Sequence, residues 1–138
     1  MNLQTMRDEL LLDEGLKLKP YRCTAGKLTI GVGRNLDDVG ITRAEALQML
    51  ENDIQRTAIE LDAKLPWWRS MDEVRQRVIL NMAFNLGVPG LLGFKNTLAA
   101  VQAGKYEDAA KGMLASRWAG QVGARAQRLA QMMATGGK

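Results

Sequence analysis

Residues 13–35 read Asp13-Glu14-Gly15-Leu16-Lys17-Leu18-Lys19-Pro20-Tyr21-Arg22-Cys23-Thr24-Ala25-Gly26-Lys27-Leu28-Thr29-Ile30-Gly31-Val32-Gly33-Arg34-Asn35, and the structural period changes inside this stretch. Just before it, Leu3, Met6, Leu10 and Leu11 recur at helical spacing, and Gly15 supplies a helix stop. From Pro20 to Leu36 the helical period is gone. Tyr21, a Thr24-Ala25-Gly26-Lys27 turn and the run Leu28-Thr29-Ile30-Gly31-Val32 predict a small hairpin sheet. A helix therefore delivers Glu14 to a β region that holds Cys23 and Thr29. Eight residues separate Glu14 from Cys23, and five separate Cys23 from Thr29.

Beyond this stretch the pattern is helical. Thr42-Arg43-Ala44-Glu45 is a capping box that opens a long helix running to about Lys64, ahead of Pro66. Ser70-Met71-Asp72-Glu73 reads as a second capping box. Behind it Val74, Val78, Ile79, Met82 and Leu86 form an apolar stripe that ends at Gly87. After a Gly87-Val88-Pro89-Gly90 turn, short helices are expected around 91–94, 96–103 and 106–114, with a last helix over about 124–134. No repeat, low-complexity segment or long linker divides the chain. The expectation is a single α+β domain over 1–138, mainly α. A small β lobe (about 15–42) would be joined by the 43–64 helix to a helical lobe (about 1–14 and 66–138), with a cleft between them.

Composition narrows the chemistry. At 138 residues, 46% of them hydrophobic and 25% charged, the chain suits one soluble domain with its own core. One cysteine excludes an intramolecular disulfide, and the lack of histidine removes the commonest base and the commonest zinc ligand. No metal site and no cofactor are expected. The first residues do not form a signal peptide, and no window reaches the roughly 18 apolar residues of a membrane span. Synthesis in the cytoplasm without a membrane anchor is the expectation. A net charge of +4 favours an anionic partner without choosing among wall polymer, nucleic acid and acidic lipid.

Residue chemistry alone leaves the three central side chains open. Glu14 ends a helix, where the macrodipole disfavours a carboxylate; it reads either as a solvated acid beside Lys17 and Lys19 or as a general acid. Cys23 is either a small buried hydrophobe or, in its polar turn beside Arg22, a reactive thiol. Thr29 is either a β-branched strand residue or a hydroxyl that holds water.

The Glu-Cys-Thr spacing and the Glu14-Gly15-Leu16-Lys17-Leu18 and Thr29-Ile30-Gly31-Val32-Gly33 runs resemble the phage-type (T4-like) lysozymes of glycoside hydrolase family 24. Further runs fit the same pattern in order: Asn81-Met82-Ala83-Phe84-Asn85-Leu86-Gly87, Gly93-Phe94-Lys95-Asn96-Thr97-Leu98, Ala115-Ser116-Arg117-Trp118 and Ala124-Arg125-Ala126-Gln127-Arg128. Coverage is nearly the whole chain, with a shortened interlobe segment. The resemblance implies a lysozyme-like fold and a muramidase that cleaves the β-1,4 bond between N-acetylmuramic acid and N-acetylglucosamine in bacterial peptidoglycan.

It makes Glu14 the catalytic acid, and Cys23, where many relatives carry Asp, and Thr29 the groups that position or activate water. It implies saccharide contacts at Asn35, Phe84 and Thr97, with Gly112 replacing a side chain used there, and makes Arg125 the partner of the catalytic Glu. Arg34 stands where the best-known relatives have His. The resemblance further implies an endolysin that acts as a monomer, binds no nucleic acid and reaches the wall after a separate pore-forming protein (a holin) opens the membrane. Two alternatives accompany this reading. One is a lytic transglycosylase, which needs only one acid/base Glu; the other is a non-catalytic basic module that binds wall polymer or nucleic acid.

Overall fold

A computed structural model describes residues 1–137. The family fold expected from the sequence is present as eight α-helices and one small three-stranded antiparallel sheet among the described residues. The chain clusters into two compact units, Met1–Met49 and the segment from Leu50 onward.

In the first unit, α1 (Leu3–Glu14) begins at Asn2, whose side chain accepts the Thr5 amide at 3.0 Å. It ends at Gly15, which takes φ 74° and donates its amide to the Leu11 carbonyl at 3.0 Å. Three strands follow: β1 (Lys17–Arg22), β2 (Leu28–Gly31) and β3 (Arg34–Asn35), in the order β1-β2-β3. Tyr21 pairs with Thr29 and Arg22 with Leu28, and on the other side Thr29 pairs with Asn35 and Ile30 with Arg34. The register slips between Lys17 and Tyr21. Pro20 lies in that interval and brings no amide to the ladder. The sequence had suggested a plain hairpin; β3 is a third strand only two residues long, too short to show an alternating pattern.

The first unit contains almost no core. Thr29 is its only buried residue, and no residue of α1 is buried. Order comes instead from polar ties. The Asp37 carboxylate accepts the Leu28 amide at 2.7 Å, and Lys27 reaches Asp38 at 3.2 Å. Arg34 forks onto both oxygens of Glu45 at 2.8 Å each. Glu45 also accepts the Thr42 amide while the Thr42 hydroxyl accepts the Glu45 amide, so the predicted capping box opens α2 (Arg43–Lys64).

The second unit holds the apolar core. After the end of α2 come a 3-10 turn (Trp68–Ser70), α3 (Glu73–Leu86), α4 (Val88–Leu92), α5 (Lys95–Gln102), α6 (Tyr106–Leu114), α7 (Arg117–Val122) and α8 (Ala124–Thr135). Leu61, Val78, Ile79, Met82, Leu91, Val101, Met113, Leu129 and Met133 are almost fully buried. Three expectations need correction. Ser70 does not cap α3: its hydroxyl donates to the Trp67 carbonyl at 2.6 Å, and Asp72 accepts the Arg75 amide instead. The 3-10 turn consumes Ser70, and only after the extended residue Met71 can a cap form. The Gly87–Gly90 turn is largely helical, because Pro89 fits the first turn of α4. Finally, α7 was not foreseen. Its six residues are too few to show a period, although Ser116 caps it by accepting the Ala119 amide at 3.3 Å.

Arg75 ties the two ends of this unit together. Its guanidinium donates to the Met133 carbonyl at 2.7 Å and the Ala134 carbonyl at 3.2 Å, pairs with Asp72 at 3.0 Å, and lies 3.5 Å from the centroid of the Tyr106 ring. The carbonyls at the end of α8 have no partners within their own helix, so this cation answers a need that every helix end has. Arg75→Ala should destabilise the protein by about 2–4 kcal/mol in urea unfolding, given charged hydrogen bonds and a desolvated cation–π contact. Arg77→Ala, which removes only an exposed i,i+4 pair with Glu73, should cost less than about 0.5 kcal/mol. Equal losses would show that the Arg75 network carries no special weight.

Candidate active site

Glu14 is the last residue of α1 and is exposed. Its carboxylate lies against Gly33, so closely that a side chain there would displace it: a Cβ would stand 2.8 Å from Oε2. Cys23 follows β1 and opens the turn into β2. Its amide donates to the Lys27 carbonyl at 3.0 Å, and its carbonyl accepts the Gly26 amide at 2.8 Å. This tight turn folds the chain back on the thiol. Backbone amides of Lys27 and Ala25 point at it and lower its pKa, partial burial opposes them, and the Thr29 hydroxyl adds a smaller lowering. The same turn carries a cation at its edge, since the Arg22 guanidinium donates to the Gly26 carbonyl at 3.2 Å.

Thr29 is the link between these groups. It is buried in the middle strand, and its hydroxyl donates to the Lys27 carbonyl at 2.9 Å, the same carbonyl that accepts the Cys23 amide. Across the sheet it pairs with Asn35. The Asn35 side chain is engaged with Asp38, donating to the carboxylate and accepting the amide at 2.9 Å each. Its polar groups thus shape the turn after β3.

The remaining expected site residues lie in the second unit, in two places. Phe84, exposed on α3, and Arg125, on α8, line one pocket of about 460 Å³ together with Asn81, Leu80, Arg128 and Met132. Asn81 was not foreseen: its Oδ1 accepts both Nε and Nη2 of Arg125, at 3.0 and 2.7 Å, and so aims the guanidinium. Thr97 is elsewhere, buried in the first turn of α5 and lining a separate pocket of about 480 Å³ with Phe94, Lys95, Asn96 and Gly112. The space above Gly112 is filled by Thr97, since a Cβ on Gly112 would stand 2.5 Å from its Oγ1. Within the first unit the structure places Thr29 and Asn35 on one sheet with Cys23 in the turn that joins β1 to β2; within the second, Phe84 and Arg125 share one pocket wall and Thr97 lines another pocket.

Among the described residues no cluster of three or more His, Cys, Asp or Glu side chains could hold a metal ion, and no helix is long and apolar enough to cross a membrane. The family model for phage lysozyme matches residues 12–132. The chain belongs to the phage lysozyme family. It is 30% identical over 163 residues to probable T4-type lysozyme 1 of Dictyostelium discoideum, covering 97% of this chain and 96% of that protein. It is 32% identical over 160 residues to the pre-baseplate central spike protein Gp5 of Enterobacteria phage T4, covering 96% of this chain but only 28% of Gp5. An endolysin of Acyrthosiphon pisum secondary endosymbiont phage 1 matches at 35% over 81 residues, 54% of this chain and 52% of that one. As a phage lysozyme family member the chain is a lysozyme-type glycosidase.

Two measurements test the electrostatics of this lysozyme-type unit. Alkylation of Cys23, followed against pH, should give an apparent thiol pKa below the ordinary cysteine value, and Thr29→Val should raise it. A value at or above that of free cysteine would refute the amide-and-hydroxyl setting. The second concerns Glu45, which Arg34 and the Thr42 amide hold at about 2. A folded value below the unfolded one means that the stabilisation is complete above the usual carboxylate range and disappears as pH falls through about 2. Glu45→Gln should therefore lower urea stability at neutral pH and converge with wild type in acid. Curves that stay parallel down to the lowest pH would show that the ionised carboxylate contributes nothing.

Proposed function

We propose that this protein is an endolysin-type muramidase that hydrolyses the β-1,4 bond between N-acetylmuramic acid and N-acetylglucosamine in bacterial peptidoglycan. Glu14 is the general acid. It gives its proton to the glycosidic oxygen as the bond to the anomeric carbon breaks. Water adds to that carbon from the other side, held by the Thr29 hydroxyl, and its proton passes to the Cys23 thiolate. Return of that proton to Glu14 through solvent completes the cycle. Asn35, Phe84 and Thr97 contact saccharide, and Arg125 is the cation that supports the acid. Lysis of a host follows once a separate pore-forming protein gives a monomeric enzyme access to the wall. What supports this reading is the family and the placement of Cys23, held in the tight turn into β2 by its amide on the Lys27 carbonyl and its carbonyl on the Gly26 amide, in the place that many relatives give to a carboxylate.

A lytic transglycosylase is the second reading, favoured by the presence of a thiol where a second carboxylate would act. There Glu14 serves as acid and then base, and the sugar's own hydroxyl displaces the leaving group.

Turbidity loss of purified peptidoglycan combined with product mass analysis separates the two. Hydrolysis leaves reducing ends and transglycosylation leaves anhydro-muramic ends. Glu14→Gln should lower turnover by about 100- to 10,000-fold with the fold intact. Cys23→Ala should also lower it strongly, while Cys23→Asp should retain or increase it, because an ionised carboxylate stabilises an oxocarbenium-like transition state. Full activity in Cys23→Ala combined with misfolding of Cys23→Asp would reduce Cys23 to a packing residue.

A further inference from the structure

We infer that Gly33 is a positioning residue for Glu14, and that its missing side chain is a requirement of the reaction as well as of the backbone. The inference rests on the reading of Glu14 as the acid. Gly31 and Gly33 stand two residues apart on the same short segment, and both take φ +71°. Positive φ disfavours a side chain at either position. Their surroundings differ. A Cβ on Gly31 would have nothing within 4 Å, whereas one on Gly33 would meet Oε2, Cδ and Cγ of Glu14 at 2.8, 3.1 and 3.4 Å. The bare Cα of Gly33 is thus the floor on which the carboxylate rests.

That floor is anchored. The next residue, Arg34, is fixed by two hydrogen bonds of 2.8 Å to Glu45 and one of 3.1 Å to the Gly40 carbonyl. Glu14 is the opposite case, the end of a flexible and exposed side chain, with no hydrogen bond to hold its carboxylate among the described residues. When a methyl group is added to Gly33, the carboxylate is therefore what yields. It swings aside at little cost in stability, and the proton donor leaves its place. Catalytic groups displaced by about 1 Å can lose on the order of 100-fold in rate.

Positive φ at both positions makes Gly31→Ala the control for placing a side chain in that backbone region without meeting Glu14. Gly31→Ala and Gly33→Ala should lower the unfolding midpoint by similar amounts. Gly33→Ala should reduce kcat about 100-fold beyond the loss in Gly31→Ala, with KM within about threefold of wild type. With carbon-13 in the glutamate carboxyls, the Glu14 resonance should move in Gly33→Ala and stay in place in Gly31→Ala. Equal kcat losses in the two variants, or an unmoved Glu14 signal in Gly33→Ala, would overturn the inference, since strain alone would then account for the result. Failure of Gly33→Ala to fold where Gly31→Ala folds would overturn it too, because a freely swinging carboxylate cannot cost so much. Glu14→Gln that keeps its activity while the resonance still responds to Gly33→Ala would locate the failure in the acid assignment and leave the contact standing.

Discussion

The guanidinium of Arg34 meets the carboxylate of Glu45 through two parallel hydrogen bonds, and the order of the first 49 residues depends on ties of this kind. Such a fork is stronger and more directional than a single ion pair. It joins β3 to the first turn of α2, and Glu45 closes the capping box on Thr42 with the same carboxylate. A pair this exposed is ordinarily worth little. Here it matters because nothing apolar competes with it: the unit buries one threonine and no hydrophobic side chain. Geometry around Cys23 and Thr29 is consequently a product of hydrogen bonding, from the backbone bonds of the Cys23 turn to the Asp37 carboxylate that accepts the Leu28 amide.

The second unit is organised in the opposite way. Its helices close over a continuous apolar core in which Met82, Met113 and Met133 are almost fully buried. Several polar groups at its edge answer a helix end or a ring nitrogen that needs a partner. Arg75 serves the end of α8, Asp62 accepts the Trp68 indole at 2.7 Å, and Asn85 accepts that of Trp118 at 2.9 Å. Unpaired, each of these groups would carry a desolvation cost. Set at the edge of the core, they add directional constraints to an interior that methionine leaves adaptable.

Features with short-range causes were legible in the sequence. Gly15 as a helix stop, the Thr42–Glu45 box and the long α2 helix each depend on residues a few positions apart. Elements too short to show a period were not: β3 has two residues and α7 six. The Ser70 cap failed because a 3-10 turn cannot be told from a capping box by residue type alone. For the site, family resemblance named Glu14, Cys23 and Thr29, but the residues that hold the site's groups in place escaped notice. Gly33 beneath Glu14, Glu45 beside Arg34 and Asn81 behind Arg125 are partners brought together by folding, the last across 44 positions. No periodicity records such meetings. The paired glycines of Thr29-Ile30-Gly31-Val32-Gly33 were the one available hint, and the sequence does not say which of them faces a side chain.

On the proposed function, the chemistry sits on the unit without a core, and the two units should open at different free energies. Local opening free energies follow buried apolar contact, so the segment carrying Glu14, Cys23 and Thr29 belongs to the low-stability end of the molecule. Its amides should exchange with solvent through small fluctuations, while those of α3 and α8 await global unfolding. Loss of function on warming should then precede loss of the signal from the helices of the second unit. For such a molecule shelf life and working temperature are separate quantities, set by different parts of one chain.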